Sequence, residues 1–146
     1  MFTNFSQFNN GGGILPGDLL TGLRGGINTV FNAPTLPIFN WQIITAPQVL
    51  EPENGYMMFI AAPTIFTLPA ACGFGSIIQI MNLGPSTVTI AQNAGQQIGF
   101  GDLTTTVGIG GSIACTADGD GLTLICTVTN VAFQLLGGPQ GNWVIT

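Results

Sequence analysis

The chain has 146 residues and a formal net charge of −5, with Arg24 as its single basic residue, no Lys, no His and six acidic residues. Without His or Lys it lacks an ordinary general base tuned near neutral pH, an imidazole metal ligand and a Schiff-base amine. Nucleic-acid binding is disfavoured because it rests on Lys and Arg neutralising phosphates. The composition predicts a protein that is not an enzyme, with no catalytic residues, no metal and no cofactor.

Hydropathy disfavours two further classes of protein. A mean hydropathy of +0.53 is too high for a disordered chain, which is poor in apolar residues. A membrane span needs roughly 20 unbroken apolar residues, and Pro63, Pro69, Gly73 and Gly75 interrupt the longest apolar stretches. No basic residue precedes an apolar run at the start of the sequence, so we expect no secretion signal and assembly in a cytoplasm.

Residues 1–40 are rich in Gly and Pro and show no sustained strand alternation, which predicts an extended arm. Within the arm, Pro16-Gly17-Asp18 predicts the start of a short helix, because Pro suits the first turn and Asp suits the positive end of the helix dipole. Three glycines at 22, 25 and 26 weaken that helix by about 1 kcal/mol each. The apolar residues at helical spacing are Leu19, Leu20, Leu23, Ile27, Val30 and Phe31.

Two features of the arm point to a partner. Phe2, Phe5 and Phe8 recur every three residues among polar side chains. They indicate either a disordered terminus or a docking segment, because three exposed phenylalanines promote aggregation unless a partner buries them. Arg24 is either an ordinary solvated residue or pairs with Asp18 or a neighbouring protein's carboxylate, where its planar guanidinium would set the register.

From Trp41 onward the pattern changes to short β-branched and aromatic runs about 8–12 residues apart, which is typical of an all-β sandwich or barrel. Glycine-rich turns separate them and supply the positive φ of tight hairpins. The sequence predicts a β-domain over residues 41–146. Its nine clearest runs are 56–60, 64–68, 76–81, 87–91, 96–100, 112–116, 122–128, 131–136 and 142–145.

Two of these runs are apolar on both faces. Residues 77–81 and 122–126 place large apolar side chains at successive positions, whereas residues 87–90 alternate. An antiparallel strand of the first kind needs a second cover beyond its own sheet partner. In a β-domain of this size another subunit would supply it, so the pattern predicts a homo-oligomer.

Three cysteines form an odd set, which fits poorly with a secreted disulfide framework. The glycine-rich turn at residues 118–121 lies midway between Cys115 and Cys126 and predicts a hairpin that sets these two thiols nearly opposite each other. Buried free thiols in a reducing compartment are the favoured interpretation of all three, and pairing of Cys115 with Cys126 stays open.

The acidic residues offer two candidate sites with simpler explanations. Asp118 and Asp120 have the spacing of the first two ligands of a calcium-binding loop, but the remaining ligands are missing, so a plain turn is favoured. Glu51 and Glu53 supply two carboxylates, as a glycosidase requires. Solvated loop charges are favoured there, because no third polar group is evident to orient them.

Three aromatic residues, Trp41, Tyr56 and Trp143, are candidates for stacking on sugar rings. Packing in the core or between subunits is the favoured alternative, because each side chain buries a large area and lies among apolar strands.

The β-domain contains an ordered series of short phrases: Phe66-Thr67-Leu68-Pro69-Ala70-Ala71, Gly75-Ser76-Ile77-Ile78-Gln79-Ile80, Val88-Thr89-Ile90-Ala91-Gln92-Asn93-Ala94-Gly95 and Gln140-Gly141-Asn142-Trp143-Val144-Ile145. This series resembles the small β-domains of tailed-bacteriophage fibre and virion-appendage proteins. The resemblance covers roughly residues 55–146 and implies a β-sandwich, antiparallel and jelly-roll-like or β-prism-like, that forms a trimer.

Residues 17–28 are similar to N-terminal segments that attach appendage proteins to a virion. That similarity implies a structural virion protein, a fibre, capsid-decoration or tail component assembled in the host cytoplasm, with other virion proteins bound to the arm. The scarcity of charge favours a compact particle component over a long exposed fibre. Two alternatives are a host-attachment adhesin that binds surface glycan and, less favoured, a polysaccharide depolymerase. The predicted attachment residues are Phe2, Phe5, Phe8, Leu19, Leu20, Leu23 and Arg24.

Overall fold

The computed structural model describes residues 19–24, 27–32 and 39–146. Two compact units follow each other along the chain, Met1–Pro37 and Ile38–Thr146. The described residues form strands and connecting loops without any helix, so none of them belongs to a helix able to cross a membrane. The all-β class predicted from the sequence is confirmed.

In the first unit, β1 (Leu19–Arg24) pairs antiparallel with β2 (Ile27–Asn32), and Arg24 lies opposite Ile27. The helix predicted over this segment is therefore wrong. The three glycines at 22, 25 and 26 disfavour a helix, while Thr, Val, Ile and Phe favour strands whose backbone groups pair with each other. Phe2, Phe5, Phe8 and Asp18 lie outside the described residues. The predicted attachment residues Leu19, Leu20, Leu23 and Arg24 occupy β1.

The second unit contains eleven strands, and each of the nine predicted runs is a strand whose ends differ from the prediction by at most two residues. Two strands were not predicted, the first of the unit and a two-residue strand after residue 102. The strands are β3 (Asn40–Ile44), β4 (Asn54–Met58), β5 (Thr64–Thr67), β6 (Ile77–Asn82), β7 (Val88–Ala91), β8 (Gln97–Phe100), β9 (Leu103–Thr104), β10 (Ser112–Cys115), β11 (Gly121–Val128), β12 (Ala132–Leu135) and β13 (Trp143–Ile145).

These strands form two sheets around one core. The larger has the order β3-β4-β6-β11-β12-β8-β9, and the smaller has the order β13-β10-β7-β5. Ile78 and Leu124 of the larger sheet share a single buried apolar cluster with Ile90 and Ile113 of the smaller sheet. The second unit is thus a β-sandwich, as the sequence predicted.

Both sheets are mixed, whereas the prediction was antiparallel. From β4 to β8 the chain alternates between the two sheets, and strands that become neighbours this way run parallel, as β4 and β6 do, and β5 and β7. Each such connection includes a strand of the opposite sheet, which returns the chain to the end of the first sheet where the preceding strand began. The next strand in the first sheet therefore runs parallel to the preceding one. Antiparallel pairing holds where β11 joins β6 and β12, and where β10 joins β7 and β13.

The two runs with apolar residues on both faces lie side by side as β6 and β11. Their inward side chains, such as Ile80 and Leu124, are buried, whereas Ile77, Met81 and Ile125 on the outward side are only half-buried. The second face of these strands is therefore part of the molecular surface of the second unit.

Buried amide side chains connect the loops at the strand ends. The side-chain amide nitrogen Nε2 of Gln92 donates hydrogen bonds to the carbonyl oxygens of Gln96, Thr106 and Gly108, at 2.6, 3.0 and 3.1 Å. The Thr105 hydroxyl donates to Oε1 of Gln92. One buried carboxamide thus joins two loops that are separate in sequence.

Gln96 and Asn82 act in the same way. Nε2 of Gln96 donates to the carbonyls of Pro69 and Asn130, at 2.8 and 3.2 Å. Nδ2 of Asn82 donates to the carbonyls of Ser86 and Ala117, at 3.0 and 3.1 Å. Every buried side-chain nitrogen and oxygen among the described residues has a hydrogen-bond partner. Neutral amides thus bind these loop carbonyls of the second unit without charged side chains.

We expect Gln92→Met to lower the free energy of unfolding by about 3 kcal/mol, because it preserves side-chain length but removes the four hydrogen bonds that this buried carboxamide makes with Gln96, Thr105, Thr106 and Gly108. Urea denaturation of the full chain measures this. The matched control is Gln97→Met, since Gln97 is half-exposed on β8 and its side chain makes no hydrogen bond within residues 39–146. Its effect should stay within about 0.5 kcal/mol. Equal losses in both variants would contradict the role assigned to Gln92.

Candidate functional site

One row of residues crosses the outer face of the larger sheet. Trp41 on β3 lies opposite Gly55 on β4, Gly55 opposite Gln79 on β6, and Gln79 opposite Thr123 on β11. The residues that follow Gly55 and Gln79 in sequence, Tyr56 and Ile80, are buried in the core. Because side chains alternate along a strand, the row from Trp41 to Thr123 faces away from the core.

The Trp41 ring lies flat over Gly55. A Cβ atom placed on Gly55 would be 2.5, 2.6 and 2.8 Å from the consecutive ring atoms Cε3, Cδ2 and Cζ3 of Trp41. Such similar distances to three bonded atoms mean that the ring presents its face to Gly55, not its edge. Phe39 contacts the indole in an edge-to-face arrangement, with ring centroids 5.7 Å apart. Trp41 nonetheless remains 43% exposed.

A groove of about 270 Å³ lies on the same face, between β6 and β11 and the loop before β13, and it is lined by Gln79, the residue opposite Gly55. Gly121 forms part of its floor, and Gln140 pairs with Gly121 through two backbone hydrogen bonds of 2.7 and 3.1 Å. A Cβ on Gly121 would lie 3.5 Å from Oε1 of Gln140, so the Gln140 amide stands over this glycine. The residues that line the groove include Gln79, Met81, Gly121, Thr123, Gly138 and Gln140.

The groove is uncharged. Its lining offers two carboxamides and one hydroxyl, which donate and accept hydrogen bonds, and the neighbouring indole adds an apolar surface. Such a surface suits a neutral ligand that has both polar and apolar faces. Sequence reasoning identified Trp41 but missed Gln79, Thr123 and Gln140, because only strand pairing brings them together.

The other two predicted sugar-stacking residues are placed differently. Tyr56 is fully buried, and its hydroxyl accepts a hydrogen bond from the Glu51 amide at 2.6 Å. Burial also raises the pKa of Tyr56. The prediction that Tyr56 stacks on a sugar is therefore wrong. Trp143 is half-buried against the core, and its indole N–H donates to the carbonyl of Gln140 at 3.0 Å. Trp143 thus holds a groove residue in place.

The acidic candidates lie in loops. Glu51 is exposed and Glu53 half-buried, with a positive φ of 61° at Glu53. Asp120 is buried, and its carboxylate accepts hydrogen bonds from the amides of Ala117 and Asn142, at 3.0 and 3.3 Å. This places Asp120 in the plain turn that the sequence favoured. No group of three Asp, Glu, Cys or His side chains that could hold a metal ion occurs within the described ranges.

All three cysteines are free and buried, as the favoured interpretation predicted. The hairpin that would oppose Cys115 and Cys126 is wrong, because Cys115 lies on β10 of the smaller sheet and Cys126 on β11 of the larger. Sγ of Cys126 instead donates to the carbonyl of Cys72 at 3.4 Å. Burial raises the pKa of Cys72 to about 12 and that of Cys115 to about 11. Both thiols are thus protonated at neutral pH and unreactive.

Comparison with known proteins assigns no family: no protein-family model matches this sequence, and no curated protein matches it. The function of the chain is therefore inferred from its own residues.

We expect the free energy of unfolding to fall as the pH rises from about 9 to about 11. An unfolded thiol ionises near its ordinary pKa of 9.0, whereas buried Cys115 stays protonated to about pH 11, so ionisation favours the unfolded chain. Cys115→Ala should make this fall less steep in urea titrations across that range. Val88→Ala truncates the residue opposite Cys115 and should lower stability equally at every pH. An unchanged pH dependence in Cys115→Ala would contradict the assignment.

Proposed function

We propose that this chain is a structural protein of a tailed-phage virion, a fibre, capsid-decoration or tail component, whose β-sandwich assembles as a homotrimer. The resemblance of residues 55–146 to virion-appendage domains supports the class of protein. The sequence predicted a homo-oligomer from β6 and β11, which lie in the larger sheet, whereas the observation that supports the proposed assembly is the outer face of the smaller sheet.

This outer face carries no charged residue, and the short side chains in its middle give it little relief. One row across the sheet consists of Val144 on β13, Ala114 on β10, Thr89 on β7 and Ile65 on β5. Val144 and Ile65, at its two ends, are each 61% exposed. The next row contains only small side chains, those of Ser112, Ala91 and Thr67.

A second copy of the chain is the occupant that this face suits best. The short side chains between Ile65 and Val144 allow another sheet to approach closely, and no charged group would have to lose its hydration. Exposed apolar residues on a face without charges promote association of protein chains. A closed oligomer buries such residues in one specific interface. A trimer places three copies of this face around a common axis.

Two features of the first unit support the proposal that it attaches to other virion proteins. It forms a separate compact unit along the chain, and it contains the single cation, Arg24. The proposed attachment residues are the seven predicted from the sequence, of which Leu19, Leu20, Leu23 and Arg24 lie on β1. A guanidinium in this segment would pair with a carboxylate of a neighbouring virion protein and set the register of the contact.

We expect light scattering of the full chain to give about three times its mass of 15.1 kDa. Thr89→Arg should yield a folded monomer, because it places a charge in the middle of the flat face. The control is Ile109→Arg, since Ile109 is 79% exposed in the loop before β10. This variant should remain trimeric. A monomeric wild-type chain, or a Thr89→Arg variant that stays trimeric, would refute the proposed interface.

The virion assignment has its own test. Mass spectrometry and immunogold labelling of purified phage particles that encode this chain should detect it as a stoichiometric particle component. Its recovery solely in the fraction free of particles would rule out a structural role in the virion, whatever its oligomeric state.

A further inference from the structure

We propose that the groove beside Trp41 binds a neutral saccharide, with one sugar ring stacked on the indole and its neighbour hydrogen-bonded in the groove. This site goes beyond the proposed virion role. It lies on the larger sheet, whereas the proposed trimer contact uses the smaller one, so both surfaces can be occupied together.

The Trp41 indole is built as a platform. Its inner face rests on Gly55, where any side chain would displace the ring. Close contact with Phe39 restricts the ring orientation, so little conformational entropy is lost when a ligand binds. The electron-rich face of an indole attracts the partly positive C–H groups that line one side of a pyranose ring. An exposed, preoriented Trp face is therefore suited to sugar stacking.

The groove supplies the hydrogen bonds that sugar hydroxyls require. The side chains of Gln79, Thr123 and Gln140 make no hydrogen bond to another group within residues 39–146. Gln79 lies opposite Gly55 on the neighbouring strand, which places it about 5 Å from the strand beneath the indole. Gln79 therefore adjoins the platform and also lines the groove, and carboxamides can both donate to and accept from hydroxyl groups.

Charge selects the class of saccharide. Neither the indole nor the groove lining includes an acidic or a basic residue. A sialylated or sulfated glycan would bring a carboxylate or sulfate to a surface with no cation to replace its hydration. A neutral glycan avoids that cost. The groove volume of about 270 Å³ lies just below the usual range of small-molecule clefts, so the groove fits only a short stretch of a glycan chain.

Two further residues position the site without touching the ligand. Gly55 lets the indole lie flat, and the Trp143 indole N–H holds the backbone of Gln140. We therefore assign Trp41, Gln79, Thr123 and Gln140 as ligand contacts, and Gly55 and Trp143 as positioning residues.

The test is binding of the full chain to a glycan array, followed by calorimetry with hexasaccharides of glucose, mannose, galactose or N-acetylglucosamine. Sialylated and sulfated glycans are included as the charged set. We expect binding to at least one neutral series, with an affinity at least about tenfold lower for Trp41→Ala and changed only a few-fold for Trp41→Tyr. Phe74→Ala removes another exposed aromatic side chain, from the loop before β6, and should bind as the wild type does.

Gly55→Ala provides a second test that leaves every ligand-contacting side chain present. Its new methyl group would push the indole off the sheet, so affinity should fall while thermal melting confirms that the chain is folded. Binding to none of the neutral glycans, preference for charged glycans, or equal affinity of Trp41→Ala and Phe74→Ala would each overturn the proposal. Thr89→Arg should bind sugar with unchanged affinity per chain, so failure of the trimer would not be mistaken for failure of this site.

Discussion

The second unit depends on carboxamides that bind backbone carbonyls inside the protein. With one basic residue in the chain, its loops cannot rely on ion pairs, and Gln92, Gln96 and Asn82 connect them instead. A primary amide can donate twice and accept twice without the desolvation penalty of a charge. The amides at the strand ends thus hold together loops that lie far apart in the sequence.

This arrangement leaves both outer sheet faces uncharged, yet their shapes differ. The smaller sheet carries short side chains between Ile65 and Val144 and is flat, whereas the larger carries an indole beside a groove. A flat face matches another flat protein surface, while a groove with free amides matches a small polar ligand. Shape and hydrogen-bonding capacity, more than charge, therefore determine which partner each sheet face is proposed to bind.

Sequence reasoning succeeded where local pattern decides structure and failed where partners are distant. The alternation of Val88 and Ile90 with threonines identified β7 and its buried face directly. The turn at residues 118–121 was also correct, but the strands on either side of it enter different sheets, so Cys115 and Cys126 do not face each other. Core packing was the favoured interpretation of Tyr56, Trp41 and Trp143 alike, and only strand pairing separates the buried Tyr56 from the exposed Trp41.

The sequence alone determined the positions of nine strands of the second unit and the all-β class, because alternation and turn residues are local properties. Tertiary structure alone decided which strands are neighbours, since the chain alternates between two sheets and the pairing is long-range. Trp41, Gly55, Gln79 and Thr123 span more than half of the chain and become one row only through that pairing. The candidate site is therefore a product of sheet topology, which no local pattern encodes.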